Sequence, residues 1–550
     1  MGGVTTEGSF SVTGTIVDVV GGRTFGGEVA VTAGRIAAIK PLDGAVGAPF
    51  LCPPLVNAHN HIESMLMTPQ EASRVVVPHG VLGMVSDPHE IANVAGIEGV
   101  RFMIDAAVDT DLLVSFGAPS CVPATNCGIE TAGAVLGPRE VVELLHDPAI
   151  GYLAEVMNYP AVLARDPGFM EMIAAATKLG KPVDGHAPGL RGDEARRYAA
   201  AGITTDHECF SAAEARDKLA AGMKIIVREG SAARNLAALT EIVDEFPDRT
   251  MLCTDDLHPD LAQMGSIDRH VARLIGVGID PLKVLRAASR NPIEHYRLDL
   301  GQLQVGDPAD FIVVGDLADF NVDRVYRRGR LVATNGRSTA PFRPSGVINR
   351  FGATPIDLKS VELRAAGPNL RAIRVIEHQL VTELETIPAR IVAGLVESDP
   401  ARDGLKIVVV NRYTSAPVSV GFVTRFGLQR GALASSVAHD CHNIVAVGTN
   451  DRDLVAAVNR VIEARGGLAF ACGDVVECLP LPIGGLMSGE DHATVTAEYI
   501  ALDRMVKMVG GTPLAAPFMT LSFLALLVIP AAKISDRGMF VDFKPVAVSY

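Results

Sequence analysis

The chain has 550 residues, 48% hydrophobic and 20% charged, and its 63 acidic against 49 basic residues give a formal charge of -14. That length exceeds one ordinary core and implies two or three domains, one of which can be an α/β barrel of roughly 250 residues; fibrous, disordered and small disulfide-framework classes are excluded. The acidity, with no basic stripe interleaved with aromatics, argues against a nucleic-acid polymer as partner.

Eight cysteines, at positions 52, 121, 127, 209, 253, 441, 472 and 478, are too sparse for a disulfide framework and form no CxxC pair. A reducing, cytoplasmic setting is expected. The start, MGGVTTEGSFSVTG, has neither a basic opening nor an apolar signal core. Over residues 1–56 the runs SVTGTIVDVVGG and GEVAVTAGRIAAIKP alternate β-rich segments with glycine turns, as hairpins do. A related texture returns over 301–345, in GQLQVGDPADFIVVGDLADFNVDRVYRRGRLVA, so the two pieces are expected to form one small discontinuous β domain.

Between them, over 57–300, eight apolar segments end at polar residues: PPLVNAH, VLGMVSD, DLLVSFG, IGYLAE, KPVDGH, GITTDH, MKIIVRE and RTMLCTD. Helix-compatible runs such as EIANVAGIEGVRFMIDAA, PGFMEMIAAATKLG and SAAEARDKLAA fill the intervals. Eight strand-helix units predict an α/β fold built on a TIM-like (β/α)8 barrel, which gathers the C-terminal ends of its strands at one face. An open doubly wound sheet is the rival, but no GxGxxG follows the first strand. After a break at 341–346, residues 346–550 alternate strands such as LKIVVVNRY and NIVAVGT with the helix-like DRDLVAAVNRVIEARGG, an additional C-terminal α+β domain. Its most apolar run, FMTLSFLALLVIPAA from Phe518 to Ala532, is 15 residues long. That is too short to span a bilayer, so it is expected to pack internally and no membrane partner is expected.

Chemistry enters at His59-Asn60-His61, because alternate positions of an extended backbone point the same way and would bring both imidazoles to one ion. Taken alone, an HxH pair also fits ordinary polar packing, Glu155 a cap or surface carboxylate, and Asp255 an N-cap. Their placement decides the matter. His186 and His207 also end predicted strands, as do Glu155 and Asp255, so six potential ligands converge on one barrel face. Glu155 could bridge two divalent ions, and Asp255 could take a proton from a water they activate and pass it to a leaving nitrogen. Asp87, His89 and Glu90 in SDPHEIANV, with Glu208 and Glu229, are candidate substrate contacts, although Asp87 also suits a loop cap. Cys209 and Cys253 read as small buried residues. No PCxxC occurs, which removes the zinc nucleobase-deaminase arrangement.

At NAHNHIES, SDPHEIANVAG, AEVMN, DGHAPGLRG, TTDHE and CTDD, and again at SSVAHDCHNI, LPLPIGGLMS and PFMTLSFLALLVIP, the chain resembles the amidohydrolase superfamily and, more narrowly, its microbial adenine deaminases. The resemblance runs through almost the whole chain, including the C-terminal domain. It implies adenine as substrate, hydrolysed to hypoxanthine and ammonia by a metal-activated hydroxide. It further implies a binuclear divalent centre, manganese first with iron or zinc as alternatives, held by His59, His61, Glu155, His186, His207 and Asp255. Glu155 would take the place that a carboxylated lysine holds in many cyclic-amide hydrolases. A homo-oligomer is expected.

Departures accompany the resemblance. Pro54 and Asn57 stand where the family more commonly has glycine and aspartate, which removes one expected support of His59. His439, Asp440, His442 and Asn443 suggest a second metal site, but with no compelling fourth donor a structural or lid role over the barrel mouth is the expectation. Two other functions are compatible with the motifs: a metal-dependent cyclic amidase or deacetylase, and a catalytically impaired binding or assembly protein.

Overall fold

A computed structural model describes residues 8–43, 47–125, 128–529 and 531–550; Cys127, Pro530 and the first seven residues lie outside the described set. Its centre is a parallel barrel of eight strands, Leu55–Asn60, Val81–Ser86, Leu113–Ala118, Ile150–Val156, Val183–Gly185, Thr205–Asp206, Lys224–Arg228 and Thr250–Cys253. Most of their residues are buried, as expected where helices cover the outside and side chains fill the inside of a parallel sheet. The ladder is continuous within the first five strands, with register shifts at Val56, Gly117 and Val156, and continuous within the last three. Single backbone bonds close the gaps: Thr204 N donates to Val183 O at 2.8 Å, and Asp255 N donates to His59 O at 3.1 Å.

The closing seam explains one departure noted above. Asn57 is fully buried, its amide donates to Thr254 Oγ1 at 2.7 Å, and its carbonyl accepts from Thr254 N at 3.1 Å. An amide is both donor and acceptor, so it ties the first strand to the eighth next to His59 and Asp255. Another difference concerns the run EIANVAGIEGVRFMIDAA, which is two helices, His89–Ala95 and Ile97–Ala107. Gly96 separates them at φ 66°, a left-handed conformation that no continuous helix accepts.

Strands from before and after the barrel form one eight-stranded sheet. Phe50–Cys52 pairs in parallel with Phe10–Asp18 and antiparallel with Phe311–Val314, which stitches the N-terminal hairpins to the segment after the barrel. The C-terminal region builds a second eight-stranded sheet whose central strands include Leu405–Val410, Ala432–Ser435 and Ile444–Gly448. Period-two alternation sorts its residues. Val408, Ala434 and Ala446 pack with Leu454, Ala457 and Val461 of helix Asp451–Glu463. Ile407, Val409, Leu433 and Val447 join the large core that also contains the barrel. Further bonds hold this sheet to the barrel mouth, among them Asn443 Nδ2 to Thr131 O at 2.9 Å and a pair of 2.6 Å between His258 Nδ1 and Tyr499 Oη. No helix among the described residues is long and apolar enough to cross a membrane.

Replacing Asn57 with Ala strands the Thr254 amide in a dry seam, so equilibrium unfolding in urea should show a loss of about 1–3 kcal/mol.

Candidate metal centre

The six strand-end residues meet at the C-terminal face of the barrel. Their side chains are at least nine-tenths buried, which forces their charges to balance one another. His59 and His61 lie edge to face with ring centroids 5.0 Å apart. His61 Nε2 is 3.4 Å from Glu155 Oε1 and 3.2 Å from Asp255 Oδ1, and His59 Nε2 is 3.9 and 3.8 Å from the same two oxygens. The other oxygen of Glu155 faces a different pair, at 2.7 Å from His186 Nδ1 and 3.3 Å from His207 Nε2. Glu155 therefore offers one oxygen to each of two donor groups, as a bridging carboxylate does.

This donor set fits two divalent ions. Imidazole nitrogens and carboxylate oxygens suit manganese, iron and zinc alike. Both ring nitrogens of His59 are buried without a hydrogen-bond partner, an arrangement costly in the absence of a ligand to coordinate. Burial raises the Glu155 carboxyl, but His186, His207 and His59 outweigh it and hold the group well below the ordinary range. For His59 burial and the neighbouring His207 act in the same direction, and the ring is kept neutral, the form that ligates.

Asp255 lies two residues beyond the last strand at φ 55°, a left-handed position that aspartate tolerates better than most residues. Burial raises its carboxyl, and Arg228, with His61 and His59, brings it well below the ordinary range. Arg228 was not singled out from the sequence. It is the last residue of the seventh strand, it contacts Asp255 through Nη1, and it holds Glu208 with both terminal nitrogens, one of them 3.1 Å from Oε2. Glu229, expected near the substrate, is the next residue and so points to the opposite side, where it pairs with Arg273 outside the pocket. Strand parity was the available signal, and it favours Arg228.

Other expected contacts divide in two. His89, Glu90 and Glu208 line the pocket, while Asp87 lies behind His89, accepting from its backbone N at 3.1 Å and facing its Nδ1 at 2.9 Å. Cys209 and Cys253 are buried with thiols raised by desolvation and do not line the pocket. The remaining wall comes from farther along the chain. His439 and Asp440 reach in from the C-terminal sheet, and Leu380, Phe523 and Leu526 add an apolar side. Phe518–Ala532 thus does more than pack internally. Lys533 fixes this wall by donating to Leu380 O at 2.6 Å and Phe523 O at 2.9 Å.

A closed parallel barrel that surrounds a bridging carboxylate with imidazoles defines a metal-dependent hydrolase. The amidohydrolase family model matches residues 50–332, and the adenine deaminase C-terminal domain matches residues 379–544. Adenine deaminase of Salinibacter ruber is 50% identical over 97% of each chain. The adenine deaminase of Methanosarcina mazei is 44% identical over 96% of this chain and 97% of its own, and that of Borreliella burgdorferi 39% identical over 96% and 98%. The chain belongs to the amidohydrolase family and, within it, to the adenine deaminases.

Burial lowers the Lys533 ammonium to about 7, from an ordinary lysine value near ~10.4. Its contribution to stability is therefore present above the unfolded-state pKa and lost as pH falls through the folded-state value. Between about pH 7 and 10 wild type should gain stability over Lys533→Met in urea titrations. A difference independent of pH would contradict the lowered value.

Proposed function

We propose that this protein hydrolyses adenine to hypoxanthine and ammonia. The observation that carries the reaction class is Glu155, whose two oxygens face separate imidazole groups with Asp255 beside one of them. The near-full-length identity to adenine deaminases supports the base as substrate. His59, His61, Glu155 and Asp255 would hold one ion, with Glu155, His186 and His207 holding the other; manganese is proposed first, and iron or zinc suits the same donors. Bound there, divalent ions supply Lewis acidity that brings water within reach of deprotonation near neutral pH.

The protein's own groups account for the remaining steps. Asp255, kept ionised by Arg228, accepts one proton from the attacking water and returns it to the exocyclic nitrogen, which leaves C6 as ammonia, while the second water proton ends on the ring nitrogen N1 as the C6 carbonyl forms. Leu380, Phe523, Leu526 and Met157 give a flat uncharged ring an apolar surface. His89, Glu90 and Glu208 supply polar contacts to its edge, with Asp87 acting through His89. The seven described cysteines are all free, which supports a cytoplasmic setting.

Fully metallated protein should release ammonia from adenine, and not from adenosine or cyclic amides. Opening of a cyclic amide with no ammonia from adenine would show the substrate to be wrong. Asp255→Asn should lower kcat by about 10²–10⁴-fold, the usual span for a lost general acid-base group. Near-wild-type turnover would move the proton transfer to another residue.

A further inference from the structure

The motif SSVAHDCHNI lacks a fourth metal donor within its own sequence, and the barrel supplies donors from the other side of the pocket. His89 Nε2 is 3.5 Å from Glu90 Oε1 and 3.8 Å from Asp440 Oδ1. His439 Nδ1 is 2.7 Å from Glu90 Oε1 and 3.7 Å from Asp440 Oδ1. Four donors, two nitrogens and two oxygens, therefore close a ring with edges of 2.7–3.8 Å. An ion with bonds of about 2.1 Å sets neighbouring donors roughly 3.0–3.5 Å apart, which this ring brackets.

Aligned hydrogen bonds do not account for the contact between Glu90 Oε1 and His439. All four residues are less than 5% exposed, yet Oε1 of Glu90 and Oδ2 of Asp440 lack an aligned hydrogen-bond partner, while Oε2 of Glu90 faces His442 Nε2. The Glu90 and His439 atoms lie at hydrogen-bond distance and are misaligned for one, as two donors turned toward a common point are. Supporting residues turn the donors inward. Asp87 Oδ2 takes the Nδ1 proton of His89 at 2.9 Å, leaving Nε2 with its lone pair toward the ring. Ala438 N donates to His442 Nδ1 at 3.2 Å, which places the His442 proton on Nε2, against the second oxygen of Glu90. With His89 and His439 in the neutral form that ligates, the two carboxylates would leave a charge that one divalent cation offsets.

We propose that His89, Glu90, His439 and Asp440 form a third divalent-cation site, adjoining the binuclear centre, whose Glu155 Oε1 is 3.5 Å from His89 Nδ1, and shared between the barrel and the C-terminal domain. All four residues line the pocket, so an ion there would meet the substrate edge in place of the direct contacts of His89 Nε2 and Glu90 Oε1. His442 and Asp87 are positioning residues, each orienting one ligand. The site would make cation binding and docking of the two domains interdependent, since two ligands come from each.

The test is a metal count on the full chain. Protein stripped with a chelator, reloaded with excess Mn2+ and desalted should retain three ions per chain by elemental analysis, and anomalous scattering from its crystals should place the third between Glu90 and His439. His439→Leu should retain two and keep the binuclear pair. Glu90→Gln, closer in size to the original, should also retain two and serves if the first variant does not fold. Two ions in the saturated wild type, a third ion elsewhere, or three ions in both folded variants would overturn the proposal. The count is independent of the substrate: two ions with ammonia release from adenine defeats only the third site, and three ions without it defeats only the proposed reaction.

Discussion

Glu155 must present its two carboxylate oxygens to two different sets of imidazoles, and the rest of the molecule is arranged around that requirement. A side chain can bridge in this way only if it projects from the middle of a ring of donors, and a closed parallel barrel provides such a ring. His59 and His61 come from the first strand end, His186 and His207 from the fifth and sixth, and Asp255 from the eighth. The seam between first and eighth strands is consequential for this reason. It brings Asp255 against His61, and the double hydrogen bond of Asn57 with Thr254 holds that approach.

Concentrating so many ionisable groups in a dry space has an electrostatic cost that pairing must offset. Arg228 does so on one side, placed between Asp255 and Glu208, and the histidines do so around Glu155. Away from the barrel axis the same demand is met from another domain. Glu90 is enclosed by His439 and His442, which arrive on a loop of the C-terminal sheet. The C-terminal region is thus part of the pocket, contributing both its apolar wall and part of its charge balance, with Lys533 anchoring that wall through two carbonyls.

Legibility from the sequence varied with the range of the interaction concerned. All eight barrel strands were visible, because short apolar runs ending in a polar residue encode burial and direction locally. The six strand-end donors were visible for the same reason. Helix His89–Ala95 was merged with its neighbour, since one glycine in a left-handed conformation leaves the amphipathic pattern on either side intact. Glu229 was read as a substrate contact because an acidic residue following the seventh strand can read a purine edge, whereas strand parity decides that its neighbour Arg228 faces the axis.

The sequence by itself determined the local elements, the order of strand and helix, and the donor types available at each strand end, because these depend on residues a few positions apart. Tertiary structure decided which oxygen of Glu155 faces which histidine, and that Asn57 is used to close the barrel. It also decided that His439 and Asp440 complete a ring with His89 and Glu90 some 350 residues earlier. Such pairings are set by how one sheet packs over the mouth of another domain, a geometry that no local pattern of residues contains.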